Sequence, residues 1–207
     1  MVQGKIWLVG FRLQTVQAGL ILELSKFKSD LSFSNKLFRF VWSICWLLFF
    51  LPSPRLCHGW RRFVLRMFGA TVGDGVRIYN TAKIYYPPNL TLENHCLIGP
   101  HVDLYCVAPI SIGKNSMISQ YSYLCAASHD HNQAHLPLIA EPIKVDEGSW
   151  VCARAFLGPG VTIGKNSLVA ACGVVVKDVP DNQIVGGNPA KLIKDREPIE
   201  VVNDKPT

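Results

Sequence analysis

This chain of 207 residues is poor in three things: apolar runs long enough to cross a bilayer, cysteines that pair, and, over one stretch, acidic side chains. Its most apolar run, Phe40 to Leu51 (FVWSICWLLFFL), is twelve residues long. As a helix it spans about 18 Å, against about 30 Å of bilayer hydrocarbon. Pro52 and Pro54 stop it from growing. It also lies too far from the N-terminus for an ordinary signal peptide. Seven cysteines with no CxxC pair argue against a disulfide framework or a zinc knuckle. A reducing cytoplasm and buried apolar thiols are the simpler expectation.

Acidic residues are missing from Leu31 to Phe68, where six basic residues stand: Lys36, Arg39, Arg55, Arg61, Arg62 and Arg66. Outside that window fifteen basic residues face fifteen acidic ones, so the net charge of +6 belongs to one segment. No nucleic-acid partner is expected. In LCHGWRRFVLRMFG, Leu56, Trp60, Phe63, Val64, Met67 and Phe68 recur at helical spacing. The arginines fall mostly elsewhere, and Gly69 suits the stop. An apolar helix beside a basic amphipathic one is what an interfacial membrane anchor requires, so peripheral membrane contact is expected through residues 31–68. The alternative is that both helices cap the main domain or pack between subunits. The first 23 residues, with IWLVGF and AGLILEL, read as a further short helix.

After Gly69 an aliphatic residue recurs every six positions. The series is Val72, Ile78, Ile84; Leu92, Ile98, Leu104; Ile112, Ile118, Leu124. After a break it resumes with Val145, Val151, Leu157, Ile163, Val169 and Val175. A small residue commonly follows four positions later, as in Ala108, Ser116, Ser122, Ser128, Ala155 and Ser167. A period of six fits neither an isolated helix nor an alternating strand. It fits a solenoid whose short strands each point one large side chain inward, three to a triangular coil. The slips from Ile84 to Leu92 and from Leu104 to Ile112 are each two residues beyond a hexad, within reach of a corner bulge.

These repeats resemble the hexapeptide-repeat transferases, closest to the exopolysaccharide O-acetyltransferases of the colanic-acid type. The stretches that carry the resemblance are WRRFVLRMFGA, ISQYSYLC, SHDH, FLGPGVTIG and GGNPAKLIK, and it covers roughly Leu24 to Arg196. It implies an all-β fold, a left-handed parallel β-helix preceded by a helical segment. The expected domains are residues 1–69 (helical, basic and apolar), 70–180 (β-helix) and 181–207 (C-terminal turn and tail). It further implies an enzyme that uses acetyl-CoA and assembles as a homotrimer. The acceptor would be a saccharide hydroxyl, free or lipid-linked, in surface-polysaccharide assembly.

Half of the six histidines fall in one short stretch, LCAASHDHNQAHLP, as His129, His131 and His135. Continued hexads need aliphatic residues at 130 and 142, where Asp130 and Pro142 stand. Residues 130–142 are therefore expected to leave the coil as a loop. His129 would sit at the last regular coil position, with His131 and His135 on the loop. The resemblance makes His129 the general base, a role that suits an imidazole, which can both accept and release a proton. A backbone N–H of a neighbouring coil would stabilise the oxyanion. A backbone carbonyl, Asp103 and Glu141 all remain open as the partner that fixes its tautomer. Asp103, Asp130 and His131 are the expected acceptor contacts.

The resemblance places acetyl-CoA against Trp150, Ala153 and Ala171, with Lys177, Lys191 and Lys194 near its phosphates. Lysine loses the bidentate recognition that arginine gives at such positions. GGNPAKL reads as the turn ending the solenoid, and the tail from Glu197 as loose. A zinc-binding or purely structural hexapeptide protein is the alternative of another class. Zinc needs several ligands converging in closed geometry, and the supporting histidines on other coils are not evident, so no metal is expected. An acyltransferase acting on an amino sugar or small alcohol is the alternative within the fold.

Overall fold

The structure, a computed structural model, describes residues 32–197. The short helix expected in the first 23 residues and nearly all of the C-terminal tail lie outside them. Short parallel strands form a left-handed β-helix of about six turns and triangular section. Its first face stacks Thr71–Val72, Leu90–Leu92, Ile110–Ile112, Ile143–Val145 and Thr162–Ile163. The second stacks Arg77–Ile78, Leu97–Ile98, Met117–Ile118, Trp150–Val151, Leu168–Val169 and Gln183–Gly187. The third stacks Lys83–Ile84, Asp103–Tyr105, Tyr123–Cys125, Phe156–Leu157 and Val174–Val175.

The hexad aliphatics are the core. All are buried, and they stack in register down the axis. Val72, Leu92, Ile112, Val145 and Ile163 form one column, for example. Burying one such side chain contributes about 1.5–3 kcal/mol. Buried serines tie coil to coil. The hydroxyls of Ser116, Ser122 and Ser149 donate to the carbonyls of Asp146, Cys152 and Gly164 at 2.7, 2.9 and 2.7 Å.

Both register slips occur at one corner, between the third and first faces, where Leu90 and Ile110 add an extra buried layer. The break in the repeat falls at this same corner. It is a structured excursion, wider than the loop expected at 130–142: Ala127–His129 pairs antiparallel with Leu138–Ala140. Ser128 faces Ile139 across this hairpin and is exposed, so it is not a coil residue. His129 likewise lies on a hairpin strand rather than on the last regular coil position. The hairpin wins because Asp130 cannot fill an inward aliphatic site, whereas Ala127–His129 finds backbone partners in Leu138–Ala140.

Helix α1 (Phe33–Cys45) starts at Ser32, whose hydroxyl accepts from Asn35 N, and continues as a π-helical turn to Phe50. Helix α2 (His58–Met67) ends at Gly69, with φ 85°. Both cap the N-terminal end of the solenoid, for a reason written in the ladder. At one repeating set of positions each coil's carbonyls accept from the coil before, as Cys96 O does from Arg77 N and Val102 O from Lys83 N. The carbonyls at the matching positions of the first coil therefore have no preceding coil to satisfy them. Val72, Val76, Ile78, Ala82 and Ile84 occupy these orphan positions. Their carbonyls accept from Arg66 Nε (2.8 Å), Arg62 Nη1 (2.9 Å), Arg61 Nε (2.6 Å), Trp46 Nε1 (2.9 Å) and Trp42 Nε1 (2.7 Å). Guanidinium and indole N–H groups donate and never accept, which is what this edge needs.

The expected amphipathic helix thus forms, but Arg61 and Arg62 turn toward the solenoid, while Arg66 stays half exposed and pairs with Asp74 at 3.3 Å. Arg61 is fully buried and also donates to Ser53 Oγ, Pro54 O and Arg55 O at 2.8, 2.9 and 2.7 Å. At the other end Ala190–Asp195 folds back antiparallel on Gln183–Gly187, so GGNPAKL is the bend of a closing hairpin.

Arg61→Met should cost about 3 kcal/mol or more in denaturant unfolding of the full chain, because buried carbonyls lose their donors. Arg61→Lys should not restore this, since three donors on one nitrogen cannot span the same acceptors.

Candidate active site

The hairpin holds its histidine firmly. His129 Nδ1 lies 2.7 Å from the carbonyl oxygen of Leu136. A carbonyl only accepts, so this contact places the proton on Nδ1 and the lone pair on Nε2. Of the partners the sequence left open, a backbone carbonyl is in contact with Nδ1. Leu136 reaches this position with φ 48°, a left-handed conformation costly for a bulky side chain. The tip is braced from within. Asp130 N donates to Pro137 O at 3.0 Å, and Leu136 N to Gln133 O at 3.0 Å. The Asp130 carboxylate accepts from Asn132 N and from Gln133 Nε2, both at 2.9 Å. The Asn132 amide foremost, then Gln133, holds that carboxyl below the usual carboxylate range. Asp130 is thus engaged in the turn, while His131 and His135 are exposed at the tip. Glu141 sits against Gly160, where no Cβ intervenes. Among the described residues no three His, Cys, Asp or Glu side chains are grouped so as to hold a metal ion.

Beside the hairpin's root, on the third face, α1 and the coils enclose a cavity of about 470 Å³. Its floor is the outward side of the third-face strands: Lys83, Tyr85, Asp103, Tyr105 and Tyr123. Its wall is Arg39, Trp42, Ser43 and Trp46 of α1 and the turn that follows. Tyr85 and Tyr105 meet edge to face at 4.5 Å, and the Arg39 guanidinium stands 3.8 Å from the centre of the Tyr85 ring. Burial pushes the Asp103 carboxyl up, against a smaller opposing pull from Lys83. Burial also raises the Tyr105 and Tyr123 hydroxyls, the latter helped by the Cys125 thiol. Sequence reasoning found Asp103 but missed the tyrosines and the α1 wall. The findable signal was Tyr105 and Tyr123, each next to an inward leucine and therefore outward.

The other expected residues lie elsewhere. Trp150 opens a second-face strand, its indole donating to Ser119 Oγ at 2.8 Å. Ala153 and Ala171 sit one coil apart at the corner between the second and third faces, where Ala153 O accepts from Cys172 N. Met117, Trp150, Leu168, Ile184 and Lys194 form one outward column of the second face. Lys177 and Lys191 share a cavity of about 330 Å³ at the C-terminal end, which Lys194 does not line. The second face is opposite the corner that carries His129. One chain therefore does not bring His129 and Trp150 together.

No family model matches the chain. It is 44% identical over 147 residues to WcaF of Escherichia coli K12, provisionally named a colanic acid biosynthesis acetyltransferase. That match covers 71% of this chain and 81% of WcaF. A hexapeptide-repeat-containing acetyltransferase of Vibrio cholerae superposes with a TM-score of 0.74 at 26% identity, over 81% of this chain and 95% of that one. Its complex with acetyl coenzyme A gives 0.73 at 24% identity, over 82% and 93%.

Nitrogen-detected NMR, at a pH where the ring is neutral, should find His129 as the Nδ1–H tautomer. Leu136→Asn, which tolerates the left-handed region, should preserve this, and β-branched Leu136→Ile should replace it with a tautomer mixture.

Proposed function

The chain belongs to the hexapeptide-repeat acetyltransferases together with WcaF, and from that membership we propose an acetyl-CoA-dependent O-acetyltransferase acting on a saccharide hydroxyl in bacterial surface-polysaccharide assembly. The observation that carries this reading is the ring of His129, held through Nδ1 by the Leu136 carbonyl on a hairpin that leaves the coil next to an aromatic cavity containing a carboxylate. Acetyl-CoA supplies an acyl thioester open to attack by oxygen, with a thiolate as leaving group. A sugar hydroxyl is a poor nucleophile until its proton is removed, and His129 Nε2 is the group that removes it. The Leu136 carbonyl steadies the imidazolium that results, and His129 then releases the proton to the departing thiolate. Tyrosine faces and the Asp103 carboxylate suit the apolar ring faces and the hydroxyls of a sugar.

The second face suits the donor. Its outward column runs from Trp150 over Leu168 and Ile184 to Lys194, three strand spacings or roughly 14 Å. An apolar strip ending in a cation fits a pantetheine arm and a phosphate, with Ala153 and Ala171 leaving room at the edge. Lys177 and Lys191 add positive charge at the C-terminal end. Because the base and this strip lie on opposite sides of one chain, each site would combine His129 of one subunit with the strip of its neighbour. Three copies around an axis close such an arrangement, so the assembly is a homotrimer. The acceptor is met at the inner face of the cytoplasmic membrane, where lipid-linked saccharides are available.

His129→Ala should lower kcat about 10²–10⁴-fold, with the trimer intact by light scattering and acetyl-CoA binding kept. His131→Ala and His135→Ala should lose far less. Comparable losses at all three histidines, together with chelator sensitivity of the parent enzyme, would overturn the general-base assignment.

A further inference from the structure

The cap is built inside out. On α1 and the turn after it, Leu37, Phe40, Ile44, Leu47 and Leu48 recur at helical spacing on the side away from the solenoid, each 45–64% exposed. On and before α2, Leu56, Trp60, Phe63 and Met67 do the same. The two stripes adjoin where Phe49 and Cys45 of the first meet Trp60, Phe63 and Met67 of the second around one apolar hollow. An apolar face of this extent on a protein marks a docking surface.

We infer that this face docks the enzyme on a lipid bilayer by inserting its apolar side chains at the interface. The inference rests on the membrane location proposed above and names the surface that achieves it. Three observations favour lipid over another protein. The face offers little to hydrogen-bond: the Trp60 indole already donates to Phe49 O at 2.8 Å. No acidic residue occurs from Ser32 to Gly73, while Lys36 and Arg55 stand exposed beside the face. Such a rim complements anionic headgroups, whereas a second copy laid on it would oppose like charges. Finally, no helix among the described residues is long and apolar enough to cross a membrane, so the two helices lie in the interface plane.

Because Arg61 and Arg62 donate to the solenoid's carbonyls, and Arg66 both to carbonyls and to Asp74, attachment comes mainly from apolar burial and resists salt. The saccharide cavity lies close by. Arg39, Ser43 and Trp46 line it one position before Phe40, Ile44 and Leu47, about 100° around the same helix.

The full chain should sediment with vesicles of phosphatidylethanolamine and phosphatidylglycerol at both low and molar salt. The double variant Leu37→Glu, Leu48→Glu should lose roughly tenfold or more of the bound fraction. Its circular dichroism and its transfer to a soluble sugar acceptor should be unchanged. The inference is overturned if the parent chain stays in the supernatant or is released by salt alone. It is also overturned if the variant forms a smaller assembly than the parent by light scattering, since another copy then covers the face. Absence of soluble transfer in the parent would instead reject the proposed activity and leave the docking result standing.

Discussion

The direction of the backbone ladder governs this molecule. At one repeating set of positions each coil's carbonyls accept from the coil before it, so at those positions the first coil presents a row of unsatisfied acceptors. A row of buried acceptors calls for donors that do not also accept, and the chain answers with three arginines and two tryptophans. Much else follows from that choice. Helix α2 turns Arg61 and Arg62 toward the solenoid beside buried Val64 and Leu65, and an apolar stripe of each helix is left facing out. Pinning Trp42 and Trp46 to the third-face carbonyls also makes α1 one wall of the cavity that Asp103 floors.

A second constraint is that length is gained at one corner only. Within the hexads, inward aliphatics and short corner residues leave little room for insertion. Between the third and first faces the chain adds two residues twice, and then a whole hairpin. His129 thereby arises at a corner adjoining the cavity, on a strand held by cross-strand bonds rather than on a mobile loop. The same placement sets it across the solenoid from Trp150, which is why the proposed reaction calls on a neighbouring subunit.

The sequence by itself determined the fold. The six-residue aliphatic register names the buried columns one by one, because a coil that repeats at fixed rise puts equivalent residues at equivalent depth. It also marked His129, since the register fails next to it. It did not reveal the Leu136 carbonyl as that ring's partner, which depends on a left-handed backbone turn seven residues away. Nor did it show that Ser128 leaves the coil, because a serine suits a corner and a hairpin strand equally. The tyrosine cavity was legible only in part, because its α1 wall lies 40 or more residues earlier in the chain than Tyr85. The arginines of α2 were read correctly as lying on a face opposite the apolar one, but periodicity separates two faces of a helix without saying which is buried. The tertiary structure decided that, because orphan carbonyls in a dry edge demand donors more strongly than the apolar side chains demand burial.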